Sequence, residues 1–165
     1  MQNTVLAEQF AKGETIGEGS NMFIRDDTIY SFGTHFKIAI RLNPDQKISC
    51  GISFIYNSNI WGSRTSVHQF HVRNAINSYI AIPDCNIDEN VLRDYILELK
   101  DNFVSEINDL KTKQSKLKTK GKRFEQFKAK IERITIQSTQ RIKEVENFTT
   151  AIYGGQAIHF IKEDD

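Results

Sequence analysis

Between Met22 and Tyr56 the apolar residues fall on alternate positions. Met22–Arg25 and Thr28–Ser31, separated by Asp26-Asp27, predict a hairpin around a tight acidic turn. Tyr30, Phe32, Phe36, Ile38, Ile40 and Leu42 then share one parity, with Thr34 the polar exception. Ser31, Gly33, His35, Lys37, Ala39 and Arg41 share the other. This predicts one continuous strand with an apolar and a polar face. Asn43–Gln46, with its proline, reads as a turn. Ile48, Cys50, Ile52, Phe54 and Tyr56 predict the next strand, and Gly51 there joins Gly33 on the polar side. Two glycines on one face predict a shallow floor that admits a close neighbour, with His35 at its edge. We expect that neighbour to be a helix. Ahead of this region, Thr4 reads as the cap of a short helix through Phe10, ended by Gly13, and Gly17–Asn21 reads as a loop.

After the polar stretch 57–64 the period changes. Ser66 and Gln69 have capping-box spacing and predict a helix from Ser66 to about Ser78. At 100° per residue, Val67, Phe70, Val72, Ala75, Ile76 and Tyr79 form its apolar arc, while Gln69, Arg73 and Asn77 form its polar arc. His68 and His71 fall within the apolar arc. Ile80–Cys85 reads as extended. Asn86-x-x-Glu89 predicts a second cap, followed by a long helix with Leu92, Ile96, Leu99, Phe103, Ile107, Leu110 and Leu117 at spacings near three and four. Lys118–Lys122, around Gly121, breaks it. Phe124, Phe127, Ile131, Ile134, Ser138, Ile142, Val145, Phe148 and Ile152 then sustain a seam like that of a coiled coil. Two such helices make an antiparallel hairpin roughly 45 Å long at 1.5 Å per residue. Gly154-Gly155 ends it, and Ala157–Ile161 offers a last short strand before an acidic tail.

The expected class is therefore α+β: a small antiparallel sheet with a short helix over 1–85, a long helical hairpin over 86–153 and a terminal strand over 154–165, forming one integrated unit. A hairpin of this length exceeds what so small a sheet can cover. We expect it to project as an arm or to pack on another copy, making a homo-oligomer that a solution mass would reveal.

Composition changes this picture little until charge is mapped. The chain has 165 residues, 39% hydrophobic and 26% charged, which excludes a disordered chain as the default. Its net charge of +1 gives no global argument for nucleic acid. Yet between Lys111 and Lys130 nine residues are basic and only Glu125 is acidic. Such a tip, with Lys116, Lys118, Lys120, Lys122 and Arg123 at its centre, can hold phosphates. It lacks exposed aromatics for base stacking, Phe124 aside. The two cysteines form no CxxC and read as reduced packing residues. Neither a basic leader with an apolar core nor a membrane-length apolar run is present, so a cytoplasmic location without membrane contact is expected.

Two further groups carry candidate chemistry. Asn57, Asn59, Trp61, Ser63, Arg64, Thr65 and Ser66 gather hydroxyls, amides, an arginine and an aromatic at a helix N-terminus, as a phosphate-bearing ligand would need. His35, His68 and His71 could form a metal-dependent hydrolytic site, but no Asp or Glu accompanies them on the helix or its approach. Core histidines satisfied by hydrogen bonds are the alternative, and a histidine recognising a polar ligand, His35 or His68, is a third. No glycine-rich phosphate loop is present.

The segments "IYSFGTHFKIAI" and "NSNIWGSRTSVHQFHVRNAI" together resemble small phage and plasmid proteins that pair a Tyr-Ser-aromatic-Gly-x-His-Phe strand with a Ser/Thr-x-x-His helix. The resemblance spans residues 28–76 and stops short of the hairpin. It carries over to Tyr30, Gly33, His35 and Phe36, and to Ser63, Thr65, Ser66 and His68. It implies a protein of a phage or mobile element in a bacterial host, non-enzymatic and without cofactor. Such a protein could act in counter-defence by masking a host protein or holding a nucleotide-like signal. Nucleic-acid binding by the lysine-rich tip and metal-dependent hydrolysis are the competing expectations.

Overall fold

The structure, a computed structural model, describes residues 1–85 and 88–153. It is α+β and divides into two compact units, Met1–Ile87 and Asp88–Asp165. The expected strand at 157–161 lies outside the described residues.

The first unit is a six-stranded sheet whose spatial order follows the chain: β1 Ile16–Glu18, β2 Met22–Arg25, β3 Thr28–Ser31, β4 Lys37–Arg41, β5 Phe54–Asn57 and β6 Tyr79–Ile82. The first five strands pair antiparallel, as expected, but β5 and β6 pair parallel. The sheet is therefore mixed, because the helix between β5 and β6 carries the chain back to the end at which β5 began. Cα pairing lines up Ile24, Ile29, Ala39, Tyr56 and Ala81 across one face. On this face Leu6, Ala7 and Phe10 of α1 (Asn3–Lys12), Val72 of α3 (Ser63–Ala75) and Ile76 just past its end close a buried core. Burying each large apolar side chain is worth ~1.5–3 kcal/mol.

The chain departs from the alternation in three places. The strand expected through Phe32–Phe36 is broken there into β3, a turn and β4. Phe32 has φ 62°, in the left-handed region a bulky residue rarely enters. Its N–H donates to Asn21 O at 2.7 Å, and Ser31 N–H closes the turn on Phe36 O at 3.0 Å. Phe32 is thereby turned outward, and His35 sits exposed on the turn instead of on a strand. The Gly33–Gly51 floor does not exist. A side chain at either position would meet open space, and Gly51, at φ 71°, follows a helix.

That helix, α2 (Pro44–Cys50), replaces both the expected turn and the first half of the expected strand. Gln46 N–H donates to Asn43 Oδ1 at 2.9 Å and Asn43 N–H to Gln46 Oε1 at 3.3 Å, a reciprocal capping box with Pro44 in the first helical position. The third departure lies at the start of the chain. Thr4 is inside α1, behind the N-cap Gln2, and part of the expected loop is the edge strand β1. Gly13 does end α1, at φ 107°.

The second unit is the antiparallel hairpin of α4 (Glu89–Ser115) and α5 (Lys122–Tyr153). Asp88 caps α4 by accepting from Val91 N–H at 2.8 Å; Asn86, the expected cap, lies outside the described residues. Ile107, Leu110 and Ile134 are buried with Phe103, Phe127 and Ile131 packed beside them, which is the predicted seam. Lys100 pairs with Glu146 at 3.1 Å, and Arg141 donates to the Tyr95 hydroxyl at 3.1 Å across the two helices. Nearer the tip Gln114 donates to Phe124 O at 3.4 Å.

Candidate functional site: a polar cleft, an apolar helix face and a basic tip

The expected ligand loop is built around one buried glutamine. Gln69 was placed on the polar arc of α3, yet it is 4% exposed. Its Nε2 donates to Asn57 O and to Asn59 O, both at 2.8 Å. The Asn57 side chain donates to Lys37 O at 2.9 Å and accepts from Asn59 N–H at 2.9 Å. Ser58 N–H donates to Ile82 O at 2.9 Å. These bonds fasten the loop to β4, β6 and α3. They also occupy the polar groups of Asn57.

His35, Lys37, Asn57, Asn59 and Trp61 line a cleft of about 190 Å³ closed by Pro83–Cys85. Trp61 stands at its rim, 67% exposed, with its ring edge-on to Phe36 at 5.5 Å. The cleft holds no activated nucleophile in Cys85. Burial first, then Asp84, push its thiol up to about 12 against the pull of Lys37, so it stays protonated.

The remaining expected residues are dispersed. Ser63 and Arg64 are exposed at the start of α3. Thr65 is half-buried, and the Ser66 hydroxyl donates to Gly62 O at 2.9 Å. Ser66 is thus inside the helix and does not cap it. The N-cap is Gly62, and α3 stops at Ala75 instead of Ser78. Val67 and Phe70, expected in the core arc, are 53% and 51% exposed.

His68 points inward, as the periodicity indicated. Its Nδ1 shares a 2.6 Å hydrogen bond with the buried Ser31 hydroxyl, and the Phe32 ring lies 5.1 Å from the imidazole. His71 Nδ1 is 3.3 Å from the Thr4 hydroxyl. Among the described residues no three His, Cys, Asp or Glu side chains are grouped to hold a metal ion, so the three histidines are not assembled into one centre. Burial, and secondarily His71, hold His68 below its ordinary value of 6.5. The neutral ring is the folded form, whereas the unfolded ring protonates near 6.5. Stability from this site is therefore full above that value and falls as pH drops through it towards the folded value. We expect the urea midpoint to fall from pH 7.5 to pH 5, and to fall less in His68→Asn. Equal losses in both proteins would show that His68 is not the titrating group.

At the hairpin tip Lys111, Lys113, Lys116, Lys118, Lys120, Lys122, Arg123, Lys128 and Lys130 are all exposed. Lys113 pairs with Asp109 at 2.8 Å. Lys120 lies over the half-buried Phe124 ring at 5.9 Å, so this ring is not a free stacking platform.

No protein-family model, curated protein or solved structure matches the chain. No helix among the described residues is long and apolar enough to cross a membrane. Three participants were missed by sequence reading. Ser31 was assigned to a polar face and is buried, because it shares its face of β3 with the core residue Ile29. Gln69 carried a signal, since a glutamine beside core histidines on a short helix can serve a neighbouring loop. Phe70 was hidden by periodicity itself, which counts an apolar residue as core wherever the arc is drawn wide.

Proposed function

We propose that the chain is a binding protein that holds a partner protein on the surface formed by the 57–62 loop and α3. The observation that carries this reading is the exposure of four large apolar side chains on this loop and helix: Ile60 and Phe70, which line one groove, and Trp61 and Val67. Apolar exposure of this kind marks interaction surfaces. The polar cleft beside Trp61 supports a nucleotide-like ligand less well. Its volume is below the ~300–1,000 Å³ of ordinary small-molecule sites, and Asn57 is already bonded to the fold. The resemblance to phage and plasmid proteins supports a counter-defence role in a bacterial host, with a host protein as the partner.

The test compares wild type with the double variant Trp61→Ser, Phe70→Ser as bait in a bacterial lysate. A discrete protein retained by wild type and lost from the folded variant is the expected result. The same proteins on both baits, or a thermal shift with nucleotides that Trp61→Ser removes, would overturn it.

A second reading rests on the exposure of all nine tip cations with Glu125 as their only acidic neighbour between Lys111 and Lys130: nucleic-acid binding through phosphates.

A further inference from the structure

Distinct from the polar cleft, a groove of about 300 Å³ runs between the loop and α3. Tyr56 and Gln69 line it together with Ile60, Phe70, Ser66 and Arg73. Ile60 and Phe70 are 74% and 51% exposed, so the groove is apolar along its flanks and open to solvent. The Arg73 guanidinium lies over the Phe70 ring at 5.9 Å. Arg73 has no ion pair among the described residues, and it faces no acid on its own helix, because α3 contains none. The sequence has no Asp or Glu anywhere between Asp45 and Asp84, whereas Arg64 and Arg73 are both exposed on α3.

We propose that this groove binds an acidic peptide segment of a partner protein. A large apolar side chain inserts between Ile60 and Phe70, and a neighbouring carboxylate pairs with Arg73. This deepens the partner-binding reading and rests on it. The two halves of the recognition follow from different physics. The concave apolar flanks take a side chain out of water, while the Arg73 guanidinium beside the Phe70 ring offers a planar fork matched to a carboxylate. A cationic apolar surface can also suit an anionic lipid headgroup layer. Concavity decides against that here, since a groove engages a single protruding side chain and a lipid surface presents none.

The experiment displays random dodecapeptides to the full chain and measures binding of the selected peptides by fluorescence anisotropy. Selected sequences are expected to carry Asp or Glu within a few positions of Phe, Trp or Leu. Their affinity is expected to fall at least ~10-fold in Arg73→Glu, the scale of one charge-assisted pair, and similarly in Phe70→Ser. Reversal of Lys118, Lys120 and Lys122 should leave it unchanged. Selection of peptides without the acid–apolar pairing, no selection at all, or insensitivity to Arg73→Glu overturns the proposal. So does sedimentation with phosphatidylcholine–phosphatidylserine vesicles that Phe70→Ser abolishes, if no peptide is selected. A lysate partner that depends on Phe70 but not on Arg73 would sink the acidic-segment inference and leave the wider reading standing.

Discussion

Gln69→Leu lowers the stability of the first unit by about 3 kcal/mol, because two backbone carbonyls lose their donor at once. An unsatisfied buried polar group costs about 1–3 kcal/mol; the bond to Asn57 O is buried and carries most of this, while the bond to Asn59 O is only partly buried and adds less. Leucine keeps nearly the same volume, so a cavity contributes little. For a unit of this size the melting temperature should fall by roughly 10–20 °C. Gln69→Glu gives the sharper comparison. It preserves the shape but replaces the amide donor by a carboxylate that repels both carbonyls, and it should be worse than leucine at pH 7. If thermal melts showed either variant within a degree or two of wild type, the latch would not be holding the loop. Under the partner-binding reading, loss of the latch should also weaken binding, because the same loop carries Ile60 and Trp61.

Charge reversal at Lys118, Lys120 and Lys122 carries the second large effect. Under the nucleic-acid reading, a tip making 6–10 phosphate contacts loses about 10³–10⁵ in affinity between 50 and 200 mM salt. The triple Glu variant should bind DNA and RNA at least ~100-fold more weakly at the low end of that range, with a shallower salt slope. Its folding should be unaffected, because all three lysines are exposed. Gel-shift titrations at several salt concentrations measure both quantities. Equal retention of wild type and variant would remove the tip from consideration. A lysine-rich surface favours backbone contact over base readout, since ammonium groups act as point charges without the fork geometry that reads guanine. Sequence preference is therefore expected to be slight.

The hairpin was legible because its signal is long. A seam sustained from Phe124 to Ile152 survives any local exception, and Gly121 stands at a turning point where helix chemistry wants it, although the cap of α4 is Asp88 and not the expected Asn86. The sheet was less legible because its signals are short. Alternation is indifferent to whether a strand continues or turns back, and the residues that decided it were a left-handed Phe32 and an asparagine at 43. "NPDQ" satisfied turn chemistry and helix-start chemistry equally. What resolves it in the fold is the reciprocal bond between Asn43 and Gln46, whose spacing was present in the chain. The inward placement of His68 was readable from its wheel position. Its partner was not, because the parity running from Tyr30 to Leu42 set Ser31 on a polar face, whereas β3 buries Ser31 on the same side as Ile29. The exposed apolar face of α3 was misplaced for a related reason. Amphipathicity identifies apolar faces and leaves open which of them the fold covers, so Val67 and Phe70 were assigned inward when only Val72 and Ile76 are buried with α1.

The sequential strand order has a consequence for synthesis. Each sheet strand pairs with the strand just before it in the chain, so pairing can keep pace with the emerging polypeptide. Helix α1 is the exception, since Leu6 and Phe10 share their core with Val72 and Ile76. At a translation rate of about 5–20 residues per second, α1 leaves the ribosome several seconds before α3 does. During that interval one side of the nascent helix, and the strands it packs on, lack their final cover.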